Sequence, residues 1–141
     1  MTPPARAVVD ANVAIKWVVA EPDSNAARTL STSRLLAPEL FDAECANILW
    51  VKARHGEMTF DSAAARLRLL LGNPLQRVAH QALMPRAFDL ARELDHPIYD
   101  CIYLSLAVQE GTALVTADQR FVRKAAASRH ATLVVPLSNI R

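Results

Sequence analysis

A chain of 141 residues, 52% hydrophobic and 21% charged, holds enough apolar material for a substantial core, and its length fits one domain, residues 1–141. The net charge of +2 is too small to announce a nucleic-acid binder by itself. The opening MTPPARAVVD has no apolar targeting segment, and Lys16, Glu21 and Asp23 interrupt the nearby apolar run, so neither a signal peptide nor a membrane span is expected.

Arg6 to Asp10 reads as a short β-branched strand ending on an acid. Asn12 to Val19 follows at helical period, a second helix spans Asp23 to Ser31, and Leu35 to Ala37 is a second strand. Pro38 suits the first turn of a long helix, Glu39 to His55, stopped by Gly56. Thr59 caps the next helix, whose apolar face of Phe60, Ala63, Ala64, Leu67 and Leu71 runs up to Gly72. Gln76 to Ala79 is a weakly marked third strand inside the segment 72–83, and a helix covers Gln81 to Leu94. A helix from Tyr99 to Glu110, a stop at Gly111 and an apolar strand, Ala113 to Ala117, come next. Asp118 opens a helix that finishes near Ser128, and Thr132 to Val135 is the last strand.

All three glycines fall where a helical pattern stops, the place for left-handed C-terminal residues, which leaves none for a phosphate-cradling loop and excludes P-loop and dinucleotide-binding chemistry. Cys45 and Cys101 lie inside helical patterns without metal or redox spacing and read as small buried hydrophobes in a reducing, cytoplasmic setting. His55, His80, His96 and His130 are scattered without ligand spacing, which argues against a soft-metal site. Short apolar strands alternating with helices predict a three-layer α/β/α architecture around a mainly parallel sheet of four to five strands.

Four acids stand out in this pattern. Asp10 and Asp118 directly follow apolar strands, so both project at the carboxyl edge of a parallel sheet, where such sheets bind ligands. Asp100 lies in the first turn of its helix on a line with Tyr103, Leu104 and Ala107, a stripe that should face the core. Glu44 shares a helical line with Leu40, Asn47 and Val51, with Asp42 as a rival on the same helix. Asp100 and Asp118 taken singly read as first-turn or cap residues, whereas an acid on Glu44's line is costly unless it faces a polar cleft. Together, carboxylates without histidine or thiolate suit Mg2+ or Mn2+, and the chemistry implied is metal-assisted hydrolysis of a phosphoester. With four acids set around a cation, the 16 basic residues face only the remaining ten, a surface suited to a polyanionic substrate.

The blocks VVDANVAIKW, ECANILW, YDCIYLSLA and LVTADQRF resemble the signature blocks of the PIN domain, most closely in bacterial VapC-type toxins, and span Val8 to Phe121. The resemblance implies a ribonuclease in which Asp10, Asp100 and Asp118 hold the ion and Glu44 positions or deprotonates the attacking water. It places Asn12 and Thr116 where they orient the carboxylates, and Asn47 at a cleft position of the helix. It also implies adjacent first and fourth strands, a cognate antitoxin whose C-terminal segment crosses the acidic cleft, an RNA substrate and a homodimer. Arg120, Arg123 and Lys124, just after Asp118, are candidate phosphate contacts. A haloacid-type phosphatase needs a second Asp two residues after the first, where this chain has Asn12. A catalytically silent RNA- or antitoxin-binding module is the non-enzyme alternative.

Overall fold

The computed structural model describes residues 1–141. Five parallel strands, β1 (Arg6–Val9), β2 (Arg34–Pro38), β3 (Gln76–Val78), β4 (Ala113–Thr116) and β5 (Val134–Pro136), form one sheet in the order β3-β2-β1-β4-β5. Seven helices flank it: α1 (Ala11–Ala14), α2 (Ser24–Thr29), α3 (Leu40–Arg54), α4 (Phe60–Leu71), α5 (Met84–Leu94), α6 (Ile98–Glu110) and α7 (Gln119–Ala126). This is the expected three-layer α/β/α arrangement. The strands are apolar because helices cover both faces of the sheet: Ala7, Val8, Val9, Leu114 and Val115 are all at most 1% exposed.

The strand order decides where a ligand can sit. From β1 the chain steps outward to β2 and β3, then returns to place β4 on the other side of β1. Val8 pairs with Leu114 and Val9 with Val115. Helices leaving β1 and β4 therefore diverge, opening a crevice at the carboxyl ends of these two strands. The central helix α6 packs on β1, β2 and β4, and every residue from Cys101 to Ala107 is buried. Asp100 is thereby delivered to the crevice by a helix with little freedom to shift.

Local departures from the sequence reading have physical causes. Pro38 ends β2 instead of starting the long helix, because the ladder continues past it: the Glu39 N–H donates to the Val78 carbonyl at 2.8 Å. Helix α3 then begins at Leu40. Gly56 and Gly111 are left-handed, with φ of 76° and 60°, but Gly72 is right-handed, at φ −80°. There the end of α4 is closed by a side chain. Arg77 donates from Nη2 to the carbonyls of Leu70 and Leu71, and from Nη1 to those of Asn73 and Leu75. Its Nε donates to both carboxylate oxygens of Asp42, at 3.1 and 2.9 Å. One arginine thus fastens the edge strand β3 to α3 and α4, and gives the segment 72–83 an order its weak pattern does not announce.

Candidate active site

The crevice is built from helix caps. Asp10 caps α1: its Oδ1 accepts the Val13 N–H at 3.0 Å, and its Oδ2 accepts the Thr116 hydroxyl. Thr116, last residue of β4, in turn accepts the Asp118 N–H at 3.1 Å. Asp118 caps α7 through the Phe121 N–H at 3.1 Å. The cap reading therefore holds for Asp118, and Asp10 is a cap as well; the hydroxyl between them links the caps across the β1–β4 pair. Asp100 is different. It makes no cap bond; its Oδ2 faces His96 Nε2 at 2.6 Å. One ligand-capable atom each of His96, Asp100 and Asp118 lies within 4.8 Å of the others.

Glu44 enters from the third side. Its Oε1 accepts the hydroxyl of Tyr103 at 2.6 Å, and Tyr103 is 1% exposed. Glu44 also lines a cleft of about 480 Å³ shared with Asp10, Asn12, Asn47, Tyr99 and Asp100. No lysine or arginine lines it. Uncompensated negative charge follows. Burial pushes Asp10 up from 3.8 to about 7, with bonds from Thr116 and Val13 opposing and the charges of Asp100 and Glu44 adding to the rise. Burial also raises Glu44, against the Tyr103 bond and with help from Asp100. Asp100 is raised by burial and by Asp118 beside it, with the His96 bond opposing. Burial and Glu44 push the Tyr103 hydroxyl up as well, so it stays a donor.

The donor set is carboxylate-rich and short of positive charge, which fits a hard divalent cation. A larger hollow of about 830 Å³ opens at the amino ends of β1 and β2, among Arg6, Arg28 and Arg34, but no acid lines it and it does not suit a cation.

Of the residues singled out in the sequence, Asp10, Glu44 and Asp100 share the cleft, and Asp118 joins them through Asp100 and Thr116. Asp42 is engaged by Arg77 away from the cleft, so the choice between the two acids of α3 falls to Glu44. Asn12 and Asn47 line the cleft but make no hydrogen bond to any of the four acids, whereas Thr116 bonds to two of them. Arg120 and Arg123 are exposed on α7, and the Lys124 Nζ donates to the Asp95 carbonyl; none of the three lines the cleft. Two participants escaped the sequence reading. Tyr103 was seen only as part of a buried stripe, because the pattern of a core helix hides a hydroxyl. His96 was set aside with the other histidines, although its spacing of four from Asp100 was visible. The two cysteines are buried and free, as expected, and burial pushes both thiols up to about 12.

Comparisons with known proteins agree with this fold. The PIN domain family profile matches residues 7–127. Ribonuclease VapC3 of Pyrobaculum aerophilum is 32% identical over 121 residues, 83% of this chain and 92% of that protein. A crystal structure from Pyrobaculum aerophilum superposes with a TM-score of 0.71 at 21% identity, covering 96% of this chain and 85% of that one. A toxin–antitoxin complex from Klebsiella pneumoniae superposes at 0.66 and 17% identity, with 93% and 97% covered.

Proposed function

The chain belongs to the PIN-domain family of VapC-type ribonucleases, and from that premise we propose that it is a Mg2+- or Mn2+-dependent endoribonuclease, the toxin of a toxin–antitoxin pair. What supports this reading is that Asp10, Glu44 and Asp100 line one cleft with no lysine or arginine in its wall, with Asp118 close beside Asp100. Asp10, Asp100 and Asp118 are the residues proposed to hold the cation. An ion bound there supplies Lewis acidity to a phosphodiester and lowers the pKa of a bound water.

The protein's own groups do the rest. Glu44, with Oε1 tied to Tyr103, takes the proton of the attacking water at Oε2 as the water oxygen bonds to phosphorus, and the bridging P–O bond breaks with its electron pair on the leaving ribose oxygen, which takes a proton from solvent. Thr116 holds Asp10 and Asp118 in register through its hydroxyl. Asn12 and Asn47 offer neutral polar contacts along the cleft, and Arg120, Arg123 and Lys124 contact RNA phosphates farther along α7. The antitoxin, in this reading, lays its C-terminal segment across the cleft and masks the acids with a basic side chain, and the toxin pairs as a homodimer. The Klebsiella toxin–antitoxin complex supports such a partner. No helix is long and apolar enough to cross a membrane, and the proposed setting is the cytoplasm.

The test uses protein purified free of antitoxin. RNA cleavage that requires Mg2+ or Mn2+ and disappears in Asp10→Asn is expected. Wild-type protein that cleaves no RNA with either ion would instead establish a binding module.

A further inference from the structure

His96 is the one buried side chain at the acidic crevice that the mechanism above leaves without a task. Helix α5 ends at Leu94, and Asp95 takes a left-handed conformation, φ 49°, which turns the chain and tucks His96 beneath the start of α6. The side chain is 4% exposed. Its ring packs on Phe121 with centroids 4.7 Å apart, and Phe121 is the residue whose N–H caps Asp118. Its Nε2 lies 2.6 Å from Asp100 Oδ2. Its Nδ1 is buried and meets no partner.

These contacts fix the tautomer. A buried N–H without an acceptor is costlier than a buried lone pair. A bare nitrogen facing a carboxylate oxygen at this distance would be repelled. The hydrogen therefore belongs on Nε2, which makes the ring a donor to Asp100. A protonated Nε2 has no lone pair for a cation, so the residue acts on the carboxylate.

We infer that His96 is the positioning residue of Asp100: its Nε2–H, held in place by the ring's packing on Phe121, engages one carboxylate oxygen and leaves the other to the space shared with Asp118. One imidazole thereby ties the acid of α6 to the cap of α7. The inference rests on the metal-nuclease reading for its consequence, since an oriented ligand binds a cation more tightly than a free one.

Two measurements test it. In metal-free protein purified without antitoxin, Mn2+ affinity is read by the EPR signal of free Mn2+. His96→Leu, shown to be folded by circular dichroism, should lose about tenfold or more in affinity, while His96→Gln, which keeps a donor at the ε position, recovers most of it. Wild-type affinity in folded His96→Leu overturns the inference. So does an equal loss in both variants, which would make the ring itself a ligand or a mere packing element. The second measurement needs no variant: long-range 15N–1H spectra of the wild type should show the His96 proton on Nε2, and a proton on Nδ1 sinks the assignment. Failure of wild-type protein to bind Mn2+ at all would strike the proposed function, and the His96–Asp100 bond would still be decided by the spectra.

Discussion

At the scale of single residues, Asp10 carries the strain of the site. The folded state raises its carboxyl from 3.8 to about 7 through burial, so between those values the native protein binds a proton that the unfolded chain releases. Stability attributable to Asp10 is therefore greatest at the acid end of this window and falls as pH rises through 7, by roughly 4 kcal/mol if the full shift is realised. Urea unfolding of metal-free protein from pH 4.5 to 8 should show the wild type losing stability relative to Asp10→Asn as pH rises; parallel curves would contradict it. Thr116 gives a second residue-scale prediction. Its hydroxyl, on a residue 1% exposed, donates to Asp10 and accepts from the Asp118 N–H. Thr116→Val removes both bonds and strands a buried N–H, so a drop in cleavage of about tenfold to a hundredfold is expected, with a stability loss of about 1–3 kcal/mol. Thr116→Ser keeps the hydroxyl and should recover most of the activity in the same assay.

At the scale of elements, α3 separates the acid held by Arg77 from the acid at the crevice within one turn. Asp42 meets Arg77, the residue that closes the end of α4 and anchors β3; both side chains are about a quarter to a third exposed, so the pair is partly screened. Asp42→Asn is expected to cost about 1 kcal/mol in chemical denaturation and to leave RNA cleavage unchanged. Glu44→Gln should do the reverse, retaining stability because it relieves a buried charge while cleavage is lost. Cleavage lost in the first variant and retained in the second would exchange their roles. The same helix shows what the sequence could reveal. Period 3.6 put both acids on α3, but only the packing of α3 against its neighbours decides which one faces the crevice, and Arg77 sits too far along the chain to be read as a partner. Asp10 and Asp118 were legible because an apolar run ending on an acid is a local signal that a parallel sheet converts into a shared edge. Tyr103 was not, because it offers a polar atom from an apolar helix face, and the spacing of four between His96 and Asp100, though present in the sequence, runs through a turn where it carries no helical meaning. Gly72 failed as a left-handed stop for a related reason: a distant guanidinium supplies the donors that a left-handed residue would otherwise provide.

For the molecule as a whole, folding and charge oppose one another at the β1–β4 crevice. The sheet order makes Asp10 and Asp118 neighbours, and α6 and α3 bring Asp100 and Glu44 to them, so the hydrophobic core holds together four carboxylates that the unfolded chain keeps apart. A divalent cation held by Asp10, Asp100 and Asp118, as proposed, would bind the native state alone and raise its stability by linkage, by about 2.7 kcal/mol at a hundred times its dissociation constant. For a chain of this length that corresponds to an increase in melting temperature of roughly 5–10 °C. Protons compete for the same oxygens, and because Asp10 titrates near 7, the increase should be larger at pH 8 than at pH 5.5. Differential scanning fluorimetry with MgCl2 or MnCl2, against NaCl at matched ionic strength, measures this directly. Asp10→Asn should be more stable than the wild type without metal and should gain little when metal is added. Equal stabilisation by sodium would mean that the crevice is only screened, and the four acids would then be a strained feature of the fold without a cation to relieve it.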